Sequence, residues 1–332
     1  MKIWAAKQTW LSKNASAKAE ALDKNNVTRI AVIKHAALGD LLQTRPFLIE
    51  IRKAFPKAKI ILSVVSNYMK GIPDDLVDGI HLAKGNEKKY ALRESLKSYK
   101  DLGEQDILFD LTATSRSFWI TFFTKATLKV GFKHKGLHRL LYDIAIPRAH
   151  YRFEAETFLE QANVLGVRHQ WPLEYNYPLP EKIVENNYIS YFPTASTAEK
   201  CWPPELMAEL IKKSCEQYPN TQHILIPGLA DWELETAKMI KKIVGNKENF
   251  SMSESGAKAI SLICHAQAVV LNDTGMRNLA IAANTPTVCI FPITSHVFGY
   301  TPLFGKHKVV VNGETEPAKV DDVLNKLKEI IG

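Results

Sequence analysis

The sequence predicts an α/β protein of two Rossmann-like, doubly wound domains facing across a cleft. Three observations predict it. A chain of 332 residues exceeds the roughly 100–200 residues of one ordinary domain. Short apolar, β-rich runs alternate with helical periodicity along most of its length, the mark of a parallel sheet covered on both faces. The rhythm breaks once, from about residue 166 to 181, where V-R-H-Q-W-P-L-E-Y-N-Y-P-L-P is rich in proline and aromatics and reads as a linker.

In the first half, residues 29–34 (R-I-A-V-I-K) form a buried parallel strand, followed by the loop 35–40. A helix then runs to about Phe55 with Leu42, Phe47, Ile51 and Phe55 on its apolar face, and Pro46 is tolerated near its start. Strands are expected at 59–65, 80–82, 107–111 and 128–130, with helices at 88–99, 115–124 and 155–165. In the second half strands are expected at 188–192, 223–226, 268–271, 287–291 and 308–311. Helices start at 203 and cover 232–243, 257–265, 276–283 and 318–331. The layout is a basic N-terminal extension (1–27), a first domain (28–165), the linker (166–187), a second domain (188–316) and a C-terminal helix (317–332).

Composition narrows the function. Hydrophobic residues make up 46% and charged residues 23%, which excludes long disorder. The net charge is +8 and points to an anionic partner. That charge is uneven: seven basic residues face one acid, Asp143, between Lys125 and Arg152, and the first 29 residues are basic as well. The four cysteines, Cys201, Cys215, Cys264 and Cys289, form no C-x-x-C pair and read as reduced core thiols of a cytosolic protein. No run of 18 apolar residues and no signal-peptide core is present, so a cytoplasmic protein is expected. Ile3, Trp4, Trp10 and Leu11 among lysines suit either a bilayer surface or packing on the domain. His134 and His138 are four apart without a third ligand in view, which favours core or surface roles over a metal site. The basic charge also admits a nucleic-acid-binding module, although no RRM, helix-turn-helix or zinc-finger pattern is present.

Three strand-to-helix loops carry candidate chemistry. In H-A-A-L-G-D (35–40), Asp40 is either a carboxylate at the mouth of a site or an acid stabilising a helix start. G-x-G-x-x-G is absent, which argues against a dinucleotide site. In P-T-A-S-T-A-E-K-C-W-P-P (193–204), Thr194, Ser196 and Thr197 offer hydroxyls and Lys200 a cation, a set able to hold a diphosphate without a metal, or simply caps and a surface lysine. In N-D-T-G-M (272–276), Gly275 leaves a helix N-terminus open for a phosphate, unless Asp273 and Thr274 cap it.

In this order and spacing the loops resemble the heptosyltransferases of glycosyltransferase family 9. The resemblance rests on R-I-A-V-I-K-H-A-A-L-G-D-L-L-Q-T-R-P (29–46), D-L-T-A-T-S-R-S (110–117) with V-G-F (130–132), T-A-S-T-A-E-K-C-W-P (194–203) and N-D-T-G-M-R-N-L-A-I-A-A-N-T-P-T-V (272–288). It implies a GT-B fold with the acceptor on the first domain and an ADP-heptose donor on the second. It implies inverting transfer without a metal or other cofactor, and heptose passed to the Kdo–lipid A core of lipopolysaccharide. Asp40 matches the family's base. Thr194, Ser196, Thr197 and Lys200 match the diphosphate loop, Asp273, Thr274, Gly275 and Met276 the second donor loop, and Glu233 (or Glu235) the ribose-holding acid. On the acceptor side His35, Gly39, Arg116, Lys133, Lys135 and Arg139 are the candidates. The implied partners are a nucleotide sugar and an anionic glycolipid at the inner-membrane surface, not nucleic acid. Ala36, Ala37, Thr112-Ala113 and Asn278 depart from the family pattern, which leaves a different sugar or acceptor, or an inactive scaffold, as alternatives.

Overall fold

Apolar β-rich runs build two parallel sheets, each wound with helices on both faces. The computed structural model describes residues 1–149, 151–254, 256–291, 297–313 and 316–332, and every predicted site residue is among them. It divides into two units, Met1–Tyr175 and Asn176–Gly332.

The first unit contains β1 (Trp10–Leu11), α1 (Ala15–Glu20), β2 (Arg29–Ile33), α2 (Leu38–Leu42), α3 (Arg45–Ala54), β3 (Lys59–Val65) and β4 (Gly79–Ala83). It continues with α4 (Leu92–Lys100), β5 (Gln105–Asp110), α5 (Ser115–Phe123), β6 (Ala126–Phe132), α6 (His138–Leu141), β7 (Ile144–Ile146) and α7 (Glu154–Asn163). The sheet order is β1-β7-β6-β5-β2-β3-β4, parallel throughout except for β1, which runs antiparallel to β7. Ile30, Val32, Ile60, Leu62, Leu108 and Phe109 are fully buried, as a sheet covered on both faces requires.

The second unit contains β8 (Tyr188–Phe192), α8 (Pro204–Gln217), β9 (Gln222–Leu225), α9 (Asp231–Val244), β10 (Phe250–Met252), α10 (Ala259–Cys264) and β11 (Ala268–Asn272). It ends with α11 (Gly275–Ala282), β12 (Thr287–Phe291), α12 (Val297–Tyr300), β13 (His307–Val311) and α13 (Val320–Ile331). Its sheet, β10-β9-β8-β11-β12-β13, is parallel throughout. The α13 helix buries Val320, Val323, Leu324, Leu327 and Ile330, and Trp202 Nε1 donates to Ala318 O at 3.0 Å just before it.

Several elements differ from expectation. The single helix expected up to Phe55 is two helices, and Asp40 sits inside the first of them rather than in the loop before it. Pro46 has no N–H to bond Leu42 O, and Thr44 Oγ1 donates to Leu41 O at 2.5 Å, so the ladder breaks between them. Residues 1–27 are not a detached extension. Trp4 N donates to Val164 O at 2.8 Å, Trp10 and Leu11 pair with β7, and Lys18 bridges Asp143 at 2.8 Å. Cys201 is half-exposed rather than a core thiol, because it closes a 3₁₀ turn with its thiol donating to Thr197 O; the other three cysteines are buried.

The unit boundary at Tyr175 has a physical cause. Arg45, fully buried, makes a bidentate pair with Asp75 (2.7 and 2.6 Å), and its Nε donates to Tyr175 O at 2.7 Å. Tyr175 OH then donates to Gln43 Oε1 at 2.6 Å, so the chain stays pinned to the first unit up to this residue.

Candidate active site

In each unit the strand order reverses at one point, between β2 and β5 in the first and between β8 and β11 in the second. Ligands of doubly wound sheets bind at the carboxyl ends of strands at such points. Leu271 is in register with Phe192, and Ile33 with Asp110, so the loops leaving each strand pair emerge side by side. The four loops at these points are the ones that carry Thr194–Lys200, Asp273–Met276, His35–Asp40 and Thr112–Arg116.

In the second unit one side chain holds the two loops together. Asn272, fully buried at the end of β11, donates from Nδ2 to Pro193 O at 2.6 Å and accepts from Trp202 N at 2.9 Å. The 193–202 loop is thus clamped at both ends against the 273–276 loop. Ser196, Thr197 and Lys200 stand exposed between the clamps, and Ala198–Lys200 forms a single 3₁₀ turn. Thr194 is fully buried, and its Oγ1 has no partner among the described residues. Thr274 is the N-cap of α11 in extended conformation and makes no side-chain cap bond, so the helix start is not closed by Asp273 or Thr274. Asp273, Thr274, Gly275 and Met276 are half-buried. An open helix start, three hydroxyls and an ammonium are groups whose chemistry suits a diphosphate.

Glu233 and Glu235 have different surroundings. Glu233 Oε2 accepts from Leu229 N (3.0 Å) and Ala230 N (2.9 Å) in the loop after β9, beside the 193–200 loop of β8. Its carboxylate lies over Gly228, where a Cβ would meet it at 2.3 Å. Glu235 instead pairs with Lys238 at 2.8 Å on the surface.

The structure adds Arg277. It is 2% exposed in the first turn of α11, its guanidinium lies over the Phe291 ring (5.1 Å) and the Tyr300 ring (5.5 Å), and it pairs with no carboxylate among the described residues. Nη2 donates to Asn278 Oδ1 at 3.3 Å, while Nε and Nη1 have no hydrogen-bond partner among the described residues. A buried cation without a counter-charge is costly, and an anion at the adjacent loop would relieve it. Only its place four residues after Asp273 hinted at this role, and Asn272 had no sequence signal beyond ending a strand.

In the first unit Asp40 is half-buried in the first turn of α2, and Gly39 beside it is buried. His35 N donates to Thr112 Oγ1 at 2.9 Å, and Thr112 Oγ1 donates to Ile33 O at 3.2 Å, which ties the β2 loop to the β5 loop. His35 heads a polar relay. His81 Nε2 lies 2.7 Å from Ser98 O, which can only accept, so His81 Nδ1 accepts from Ser63 Oγ (2.8 Å). Ser63 Oγ is then left to accept from His35 Nε2 at 3.3 Å. Burial, then Arg116, His81 and Lys34, push the His35 imidazole down to about 3, so it stays neutral with Nδ1 unprotonated and unpartnered. Lys34 is itself buried against Glu154 (3.2 Å) and over the Phe158 ring (4.2 Å).

Asp110 ends β5 as Asn272 ends β11. It is fully buried and accepts from Thr112 N (2.9 Å), Ala113 N (3.0 Å) and Tyr142 OH (2.7 Å), while burial holds its carboxyl above the usual range.

Arg116 is set apart from the other predicted acceptor cations. It lines a depression of about 470 Å³ with Lys84, Lys88, Lys89, Tyr90 and Tyr99, and no acid is among the described lining residues. Lys84 and Lys88 both lie over the Tyr90 ring, at 4.9 and 5.0 Å. Glu87 nearby is held by the hydroxyls of Ser66 and Tyr90, which push its carboxyl down to about 2. A cluster of four cations of this kind suits a phosphate or carboxylate ligand. Lys133, in contrast, donates to Gln8 O at 2.7 Å, and Lys135 and Arg139 are exposed before and within α6. Among the described residues no three His, Cys, Asp or Glu side chains cluster to hold a metal ion.

The model of glycosyltransferase family 9 (heptosyltransferase) matches residues 95–330. This chain belongs to that family. It is a glycosyltransferase with the GT-B fold of two parallel-sheet domains. It is 21% identical to lipopolysaccharide heptosyltransferase 1 of Pseudomonas aeruginosa over 85% of this chain and 82% of that protein. Among solved structures it resembles E. coli heptosyltransferase WaaC with ADP-2-deoxy-2-fluoro heptose, with a TM-score of 0.75, 20% identity and coverage of 91% of this chain and 99% of that one. It also resembles a family 9 glycosyltransferase from Veillonella parvula, with a TM-score of 0.73, 17% identity and coverage of 93% and 98%. Among the described residues of this glycosyltransferase, no helix is long and apolar enough to cross a membrane.

Proposed function

We propose that this glycosyltransferase transfers heptose from ADP-heptose to the Kdo–lipid A inner core of lipopolysaccharide, with inversion and without a metal, at the cytoplasmic face of the inner membrane. The observation that carries the reading is the pair of loops clamped by Asn272, which present hydroxyls, Lys200 and an open helix start. The names of the relatives supply the sugar, and the basic depression around Arg116 suits an anionic acceptor.

Asp40 takes the proton of the attacking acceptor hydroxyl as the new glycosidic bond forms. The bond from the anomeric carbon to the diphosphate breaks in the same step, and the configuration inverts. Charge gathers on the leaving diphosphate, where Lys200, the hydroxyls of Thr194, Ser196 and Thr197, and the amides of Gly275 and Met276 stabilise it. Arg277 adds positive charge from beneath that loop, Glu233 holds the ribose, and Arg116 with its neighbouring lysines holds a phosphate of the acceptor, with Lys133, Lys135 and Arg139 giving the approach its positive field. His35 and Gly39 shape the acceptor pocket beside Asp40.

Asn278 is buried and bonded to Arg277 where the family commonly has histidine, which favours a related sugar as the second reading. A thermal-shift panel of ADP-, UDP- and GDP-sugars tests both. A ligand at 100 times its Kd stabilises by about 2.7 kcal/mol. ADP-heptose is expected to give the largest shift, and a response confined to UDP- or GDP-sugars would refute the donor assignment.

A further inference from the structure

The proposed reaction makes no use of four exposed apolar side chains on α5 and at α6 of the first unit. On α5, Trp119 and Phe122 lie one helical turn apart and are 52% and 58% exposed. At α6, Leu137 and Leu140 repeat the spacing and are 45% and 81% exposed. A helix on a globular domain normally turns polar residues to water. Here α5 buries Ser117, Ile120 and Thr121 and turns its aromatics outward. The aromatics form a cluster of their own: Trp119 stacks on Phe123 at 5.8 Å, and Phe122 meets both edge-on.

The surface is continuous across the helices. Phe118 packs on the His134 ring at 5.2 Å and against Leu141 and Tyr142, which joins α5 to α6. Lys100 of α4 lies over the Phe123 ring at 4.9 Å. Along α5, β6 and α6 the charge has one sign. Residues 111–142 contain no Asp or Glu but six basic residues, among them Lys125, Lys135 and Arg139, which are exposed.

We propose that the α5–α6 face docks on an anionic lipid bilayer. Trp119, Phe122, Leu137 and Leu140 enter the boundary between headgroups and acyl chains, and the surrounding Lys and Arg meet lipid phosphates. A second copy of the chain fits this face poorly, since a two-fold contact sets cations against cations. The face also differs from the site first considered for bilayer contact, because the N-terminal segment is held to the domain through Trp4, Trp10 and Leu11. The proposal stands apart from the identity of the sugar and the acceptor.

Co-sedimentation of the full chain with vesicles tests it. The protein should bind vesicles rich in phosphatidylglycerol, bind pure phosphatidylcholine weakly, and be released by salt. Trp119→Ala with Phe122→Ala, and separately Leu137→Ala with Leu140→Ala, should each lower partitioning by about tenfold or more. Both variants should keep the wild-type melting temperature and wild-type transfer to a delipidated acceptor. Unchanged vesicle binding in both variants, or equal binding to neutral and anionic vesicles, would overturn the proposal. So would a wild-type dimer that the Trp119/Phe122 variant converts to a monomer, which would make the face a contact between copies. If no sugar transfer is found but the variants still lose vesicle binding, the functional reading fails and the docking surface stands.

Discussion

The two units solve one problem in different ways. Each has two loops at its switch point and a buried polar residue that ends one of the two strands, but only in the second unit does that residue join the loops; in the first, Thr112 Oγ1 does so. In the first unit that residue is Asp110, which only accepts, and its three donors are two amides of its own loop and the Tyr142 hydroxyl. In the second it is Asn272, which donates to Pro193 O and accepts from Trp202 N, so it joins two loops distant in sequence. The surroundings differ in the same sense. The first switch point is dense in charge and imidazole, with Lys34, His35, His81, Asp110 and Arg116. The second presents hydroxyls, amides and Lys200, with one cation, Arg277, buried beneath. A neutral clamp fits the diphosphate role proposed for this site, because a carboxylate there would oppose an anionic ligand.

Exchanging the two residues breaks the comparison most sharply. Asn272→Asp sets a buried carboxylate, which cannot donate, against Pro193 O. It is expected to cost about 3–5 kcal/mol and to weaken nucleotide binding, by calorimetry and titration. The reverse change, Asp110→Asn, is expected to cost only about 1 kcal/mol, because the Tyr142 hydroxyl can reverse and accept from the new amide. Equal costs for the two changes would show that the clamps are equivalent after all.

Acid sharpens it next. In the unfolded chain His35 protonates near its ordinary 6.5, but in the folded unit only near 3. The folded state is therefore penalised as pH falls from 6.5 toward 3, and unaffected above 6.5. At pH 5 the penalty is about 2 kcal/mol. His35→Gln, which keeps a donor toward Ser63, should flatten the fall in melting temperature between pH 7 and 5. A slope as steep as wild type would exclude His35 as a source. The smallest effect is expected at Glu235→Ala, within about 0.5 kcal/mol of wild type and with unchanged donor affinity, because its pair with Lys238 is exposed. Glu233→Ala should instead raise the Kd for the nucleotide.

The sequence was most legible where elements are bounded apolar runs. Strands 59–65, 188–192 and 287–291 were read at the ends observed. The short edge strands Trp10–Leu11 and Phe250–Met252 and the three-residue Ile144–Ile146 carry too few residues for any period to show. Three of the four loops were legible because charged, hydroxyl and glycine residues stand out between a strand and a helix; the fourth, at 112–116, entered only through the family resemblance. What connects them was not. The Asn272 clamp spans residues 193 to 272, and the His35–Ser63–His81 relay joins the loop after β2 to residues inside β3 and β4, so each depends on partners that only the folded sheet brings together. The burial of Arg277 against the rings of Phe291 and Tyr300 likewise depends on partners distant in the chain.

The central claim is that Asp40 serves the acceptor's proton while the second unit alone holds the donor. Asp40→Asn tests it most directly, with transfer rate and nucleotide-sugar affinity measured on the same sample. The account predicts a rate reduced by about 10²–10⁴-fold with donor affinity and melting temperature unchanged. Turnover near that of wild type, or a loss of donor binding that matches the loss of rate, would contradict it.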